Sequence, residues 1–82
     1  MTNDEAIRLL SDALHEVAPE ADVSTIDPDG LLQDELDLDS MDLLNIVIAI
    51  HERSGLDIPE SDVSALTTFH SFVAYLVDRA SV

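Results

Sequence analysis

One uninterrupted stretch, SMDLLNIVIAIHER at residues 40–53, limits the fold more than any other part of the chain. It contains no glycine or proline and stops just before Gly55, a residue type that commonly ends helices. Composition would also allow a buried strand over residues 46–50, but the sequence supplies no second strand to pair with it. The stretch therefore predicts a helix. Its expected apolar surface consists of Leu43, Leu44, Val47, Ile48 and Ile50, and its thinner exposed stripe of Asp42, Asn45, Ala49 and Glu52.

The residues before this stretch predict a first helix over residues 3–17. Thr2 and Glu5 have the spacing of a capping box, in which each residue satisfies a backbone amide of the other. Pro19 cannot continue a helix, so we expect the helix to end before it. Apolar residues recur at three- and four-residue steps along one face of this segment, at Ile7, Leu10, Leu14 and Val17.

The residues after the central stretch predict one brief helix and one longer helix. Pro59 followed by Glu60 suits the start of a short helix around residues 60–65. Thr67 and Thr68 can cap a last helix. The apolar positions of that helix follow a three-to-four-residue period and are Phe69, Phe72, Val73, Leu76 and Ala80.

Residues 20–39 are predicted to form a long connecting loop, because Pro28, Gly30 and several aspartates interrupt any periodic pattern. Apolar residues are nevertheless frequent in this loop, so we expect it to pack onto the domain, with a short helical turn near residues 31–35. These apolar residues are Val23, Ile26, Leu31, Leu32, Leu36 and Leu38.

Together these elements predict an all-α fold, a small three-to-four-helix bundle with a long loop between helices one and two. The chain has 82 residues, of which 46% are hydrophobic, which suits a single domain over residues 1–82 with one modest core. No stretch resembles a signal peptide or is long enough to span a membrane. We therefore expect a cytoplasmic protein, and a monomer.

The charge and the absence of cysteine exclude several functions. A formal net charge of −15 repels nucleic acid and anionic lipid headgroups, so basic protein surfaces are the expected partners. Without cysteine the chain has neither disulfides nor thiolate metal ligands, and we expect no metal site. Any thiol chemistry would require a group added to the chain.

The segment LDLDSMDLL at residues 36–44 places Ser40 between two aspartates at the start of the central helix. In an arbitrary sequence, the ordinary interpretation is that Asp39 or Ser40 caps the helix. The order of elements changes this interpretation. The chain resembles the acyl carrier protein family over nearly all of residues 3–79. The resemblance lies in the order DLDSMD, a long apolar helix, LDIPESDV and then LTTFHSFVAYL.

The resemblance implies that Ser40 receives 4′-phosphopantetheine from coenzyme A, and that the terminal thiol of this arm holds cargo as a thioester. It also implies that the chain is a carrier and not itself an enzyme. A serine at a helix start is exposed, and the helix amides there favour an attached phosphodiester. Asp39 disfavours that phosphodiester, so we assign it to partner recognition or metal-assisted transfer.

The second helix of the family docks basic patches of partner enzymes, which implies a docking role for seven residues of this chain. They are Asp39, Met41, Asp42, Asn45, Ile48, His51 and Glu52. The alternative is that the acidic members are simply the solvated side of an amphipathic helix. Leu44, Val47 and Phe72 are expected in the core rather than at the cofactor.

The sequence also departs from carriers of general fatty acid synthesis. Met41 replaces the usual leucine after the serine, and Asn45, His51 and Arg53 occupy positions that are often acidic in the family. These departures suggest dedicated partners. The expected partners are a phosphopantetheinyl transferase, an acyl- or aminoacyl-loading ligase and a downstream transferase.

The motif DSMD with LLN and IHERSG looks like small bacterial stand-alone carriers, including those loaded with an amino acid by a truncated aminoacyl-tRNA-synthetase-like ligase. The sequence leaves open whether the cargo enters a cleft between the helices.

Other functions fit the sequence less well. DPDG at residues 27–30 resembles the start of an EF-hand loop, but the alignment puts Thr25 and Leu36 where acidic ligands are required. A serine hydrolase using Ser40 with His51 or His70 lacks the Gly-x-Ser-x-Gly elbow. A peptidyl carrier-type protein and an unmodified acidic helical interaction domain remain as alternatives.

Overall fold

The computed structural model describes residues 1–20 and 22–80, so that Ala21, Ser81 and Val82 lie outside the described residues. The described part contains five α-helices, of which three are long, and no strand. They are α1 (Asn3–Val17), α2 (Leu32–Glu35), α3 (Ser40–Ser54), α4 (Glu60–Val63) and α5 (Phe69–Ala80). The predicted all-α bundle is confirmed, and the three long helices enclose its core.

Helix α1 begins at the predicted capping box. The Glu5 amide donates to Thr2 Oγ1 and the Thr2 amide donates to Glu5 Oε1, at 3.2 and 2.9 Å. The predicted apolar face is only partly correct, because Ile7 is 40% exposed and Val17 is half-buried. Small residues let the neighbouring helices approach α1 closely, and the buried set is Ala6, Leu10, Ala13 and Leu14.

The loop between α1 and α3 packs onto the bundle as predicted, and its short helical turn is α2. Leu32 and Leu38 are buried, whereas Leu31 is 51% exposed and is not part of the core. A 3₁₀ turn at Val23–Thr25 was not predicted; Asp22 caps it, since the Ser24 amide donates to Asp22 Oδ1 at 3.1 Å. The Asp27 amide donates to Glu35 Oε1 at 2.6 Å, which fixes the middle of the loop against α2.

Helix α3 has the predicted position but a different buried face. Gly55 ends it in the left-handed region, with φ of 77°, and its amide donates to the His51 carbonyl at 2.8 Å. The prediction that Leu44 lies in the core and Ala49 is exposed is wrong, and Ile48, which belongs to both the predicted apolar surface and the predicted docking set, is exposed. Starting from Leu43, the residues at i, i+3, i+4 and i+7 of the helix face α1 and the core. The buried residues are Leu43, Ile46, Val47, Ala49 and Ile50.

The last two helices confirm the sequence prediction. Thr68 caps α5, since the Ser71 amide donates to Thr68 Oγ1 at 3.0 Å. The Leu32 amide donates to the Thr67 carbonyl at 2.8 Å, and this bond joins the first loop to the segment before α5. Helix α5 then contributes Phe72, Val73 and Leu76 to the core.

The described residues contain neither a membrane-spanning helix nor a cluster of metal ligands. No helix among them is long and apolar enough to cross a membrane. No group of three or more histidine or acidic side chains within residues 1–20 and 22–80 could hold a metal ion.

Candidate functional site

The start of α3 is fixed by a reciprocal pair of aspartates. The Asp42 amide donates to Asp39 Oδ1 at 2.8 Å, and the Asp39 amide donates to Asp42 Oδ2 at 3.3 Å. Asp39 is therefore the N-cap, as the ordinary interpretation of the sequence has it, and Ser40 is the first helical residue. The cap leaves the serine hydroxyl outside the hydrogen bonding of the helix.

The Ser40 side chain is exposed, and within the described residues its hydroxyl has no intramolecular hydrogen-bond partner. The amides of Ser40 and Met41 belong to the first turn and have no acceptor within the helix. Together with the helix dipole they favour a phosphate ester at this position, while the carboxylates of Asp39 and Asp42 oppose it. The site can thus present an accessible hydroxyl.

A cavity of about 380 Å³ lies beside this hydroxyl, between the first turn of α3, the α2 region and the α4 segment. Its surface is mostly apolar. Its lining includes Leu31, Leu43, Leu44, Val63 and Leu66, together with Ser40 itself. An exposed serine at the edge of an apolar cavity fits a long, flexible prosthetic arm, because both the attachment point and the surface next to it are accessible.

Leu44 is the one residue whose predicted place near this site is wrong. The sequence places it in the core with Val47 and Phe72, which are indeed buried. Leu44 is instead 37% exposed and lines the cavity, because it lies one helical turn beyond Ser40 on the same side of α3. Sequence reasoning also missed Leu31, Val63 and Leu66, since only the tertiary fold brings these residues to the serine.

The residues predicted to dock partners all lie on α3 or at its cap. Six of them are exposed, and Asp42 is half-buried by its capping bonds. Met41 is 64% exposed and Ile48 is 53% exposed, and with Leu44 they form an apolar stripe along the helix. The six exposed residues are Asp39, Met41, Asn45, Ile48, His51 and Glu52.

Helix α1 adds one acidic residue to this surface that the sequence did not indicate. Glu16 lines a groove of about 360 Å³ together with Asn45, Ile48 and Glu52. It also pairs with Arg53, whose Nη2 lies 3.2 Å from Glu16 Oε2. No sequence signal could have placed Glu16 here, because it is far from α3 along the chain.

The histidines do not form a catalytic arrangement with Ser40 in the described part of the chain. His51 lies eleven residues beyond Ser40 on the same helix, about 16 Å along its axis, and its Nδ1 is 3.1 Å from the Leu56 carbonyl. His70 pairs with Asp29, with His70 Nδ1 3.4 Å from Asp29 Oδ1. This geometry agrees with the sequence argument against a hydrolase.

Comparisons with known proteins converge on one family. A family model described as a phosphopantetheine attachment site matches residues 7–76. The chain is similar to an acyl carrier protein of Streptomyces coelicolor, with 35% identity over 88% of this chain and 78% of the relative.

An acyl carrier protein of Acidothermus cellulolyticus is 31% identical over 95% of this chain and 92% of the relative. A meromycolate extension acyl carrier protein of Mycolicibacterium smegmatis is 31% identical, over 92% of this chain and 75% of its own length.

Proposed function

Because the chain belongs to the acyl carrier protein family, and is therefore a phosphopantetheine carrier and not an enzyme, we propose that Ser40 is the residue that bears the cofactor. The observation that carries this proposal is the exposed Ser40 hydroxyl at the start of α3, beside the apolar cavity. When bound, 4′-phosphopantetheine supplies a terminal thiol that holds the cargo as a thioester.

The residues of this chain position the attachment point rather than perform chemistry. Ser40 Oγ provides the oxygen of the phosphate ester, while the Asp39–Asp42 capping box fixes the helix turn that presents it. Leu44 and Val63 give the cavity beside Ser40 an apolar surface, against which the arm or its cargo can lie.

The exposed surface of α3 is the proposed docking site for partner enzymes. Its apolar stripe of Met41, Leu44 and Ile48 provides contact area, and the acidic residues around it attract a basic partner surface. Such docking is fast and weakens as salt screens the charges. A phosphopantetheinyl transferase and a loading ligase with basic patches are the partners that this surface fits.

We also propose a specialised pathway in the cytoplasm, with an acyl or aminoacyl cargo. Asn45, His51 and Arg53 make α3 less acidic than the resemblance leads one to expect, and Arg53 further neutralises Glu16. One relative is named for meromycolate extension, which shows that a carrier at this level of similarity can serve a single pathway.

The attachment site is tested by intact-protein mass after incubation with coenzyme A, magnesium and a broad phosphopantetheinyl transferase. We expect the wild type to gain one phosphopantetheine and Ser40→Ala to gain none. Ser64→Ala is the matched control, because Ser64 is an exposed serine on the same cavity, and it should be modified like the wild type. No gain with several transferases would leave an unmodified acidic interaction domain as the better account.

The specialised pathway is tested by making α3 more acidic. The double variant Asn45→Glu/His51→Glu should accept malonyl groups faster than the wild type from a general malonyl transferase of fatty acid synthesis. Asn3→Glu/His15→Glu adds the same charge to α1 and should leave the rate unchanged. A wild type that is already as good a substrate as the first variant would contradict the proposal.

A further inference from the structure

The segment of residues 59–65, which contains α4, forms one wall of the cavity beside Ser40. Glu60, Val63 and Ser64 line that cavity. Every residue of the segment is exposed or half-buried, whereas Ile58 before it and Leu66 after it are buried. The segment is thus anchored by burial at its two ends, and its middle has little apolar surface to hold it in place.

Asp62 carries the polar contacts that hold the middle of this segment. The Tyr75 hydroxyl donates to Asp62 Oδ2 at 2.7 Å, and Arg79 Nη1 lies 3.9 Å from the same oxygen. Both partners belong to α5, so these contacts tie α4 to the last long helix.

Arg79 extends the same network to the residues before α4. Its Nε donates to the Asp57 carbonyl at 2.9 Å, and its guanidinium carbon lies 6.0 Å from the centre of the Tyr75 ring. Burial and the hydrogen bond to Asp62 raise the pKa of the Tyr75 phenol, so it remains a donor at neutral pH. The chain has three arginines and no lysine, and Arg79, one of these three, contacts Asp62, Tyr75 and the Asp57 carbonyl.

We propose that Asp62, held by Tyr75 and Arg79, is a latch that keeps α4 closed and limits the length of the cargo that the cavity beside Ser40 admits. With the latch closed, the cavity is a groove open to solvent on one side, which shields a short acyl or aminoacyl group but leaves the end of a longer acyl chain exposed. With the latch released, α4 moves outward between its anchors at Ile58 and Leu66, and the cavity deepens. This cargo limit rests on the proposed attachment at Ser40.

The first test uses amide hydrogen exchange on the unmodified protein, so it does not depend on Ser40. The amides of Ala65 and Leu66 donate to the carbonyls of Asp62 and Val63, both at 3.0 Å, and report opening of the segment. Asp62→Asn and Tyr75→Phe should speed their exchange by about fivefold to tenfold, because each variant weakens a charge-assisted contact.

The matched control for this test is Asp57→Asn. It removes the same charge from the same region, but Asp57 joins the network through its backbone carbonyl, which the variant retains. Exchange at Ala65 and Leu66 should stay at the wild-type rate in this variant. Equal rates in Asp62→Asn, Tyr75→Phe and the wild type would overturn the latch, whatever happens at Ser40.

The second test measures cargo protection on the modified protein. Acetyl- or octanoyl-phosphopantetheine is transferred from the corresponding coenzyme A, and the thioester is cleaved with hydroxylamine, which forms a hydroxamate and releases the thiol. Hydroxylamine should cleave the octanoyl thioester of Asp62→Asn several times more slowly than that of the wild type. The cleavage rate of the acetyl form should be the same in both proteins. If the wild type protects the octanoyl thioester as well as Asp62→Asn does, the cargo limit is overturned. If Ser40 is not modified at all, the proposed function is refuted instead.

Discussion

The capping role of Asp39 can be separated from its proposed role in recognition by comparing Asp39→Ala with Asp39→Asn. Asparagine caps helices about as well as aspartate does, whereas alanine offers no acceptor to the Asp42 amide. The first variant therefore removes a hydrogen bond and a charge, and the second removes only the charge.

The magnitudes follow from the two capping bonds at the start of α3. Alanine loses the 2.8 Å bond to Asp39 Oδ1 but keeps the bond from the backbone amide of residue 39 to Asp42. We expect a loss of about 1 kcal/mol for the cap and about 0.5 kcal/mol for the charge at the helix N-terminus. Asp39→Ala should thus lower Tm by roughly 6–12 °C, and Asp39→Asn by less than half of that.

Thermal unfolding and urea unfolding, both monitored by circular dichroism, measure the two variants, with Asp12→Asn as a control that removes an exposed charge from α1. If Asp39→Asn loses as much stability as Asp39→Ala, charge rather than capping explains the effect. If Asp39→Ala unfolds at the wild-type midpoint, α3 does not depend on this cap. If Asp39→Asn keeps its stability, a slower phosphopantetheine transfer to it would report on the role of the charge in partner recognition or metal-assisted transfer.

Three further predictions concern single contacts. Gly55→Ala should destabilise the protein by about 1 kcal/mol in urea unfolding, because Gly55 adopts a φ of 77°; an unchanged midpoint would show that the helix end tolerates a side chain. Hydrogen bonds from the backbone and side chain of Thr2 lower the pKa of Glu5, so the stabilisation they provide is present above the pKa of an unfolded glutamate and is lost as pH falls through the folded value. A carbon-13 NMR titration that places the pKa of Glu5 at or above the ordinary glutamate value would contradict this expectation. Arg53→Gln should change stability by less than about 1 kcal/mol, because the ion pair with Glu16 is exposed; a larger loss would mean that the pair holds α1 against α3.

The sequence predicted those parts of the fold that local rules determine. The bounds of α1 and α3 follow from a capping box, an uninterrupted apolar run and Gly55, all of which act within a few residues of the chain. The buried face of α3 was predicted less well, because nearly every position from 43 to 50 is apolar. Only packing against α1 decides that Ala49 is buried and Ile48 is not.

The candidate site shows the same division between local and tertiary information. Ser40 and its capping aspartate belong to one short motif, and the sequence indicated both. The cavity wall comes from Leu31 and from the pair Val63 and Leu66, which belong to two segments on either side of α3 in the chain. Their place next to the serine depends on how α4 and the first loop pack, which local patterns do not encode.

The claim that Ser40 bears the cofactor is tested most directly by locating the modification. The wild-type protein is incubated with coenzyme A, magnesium and a phosphopantetheinyl transferase, and the product is fragmented in a tandem mass spectrometer. We expect the added phosphopantetheine on Ser40 in every modified molecule. Its location on Ser54, Ser61 or Ser64, or its absence from the chain, would refute the claim that Ser40 bears the cofactor.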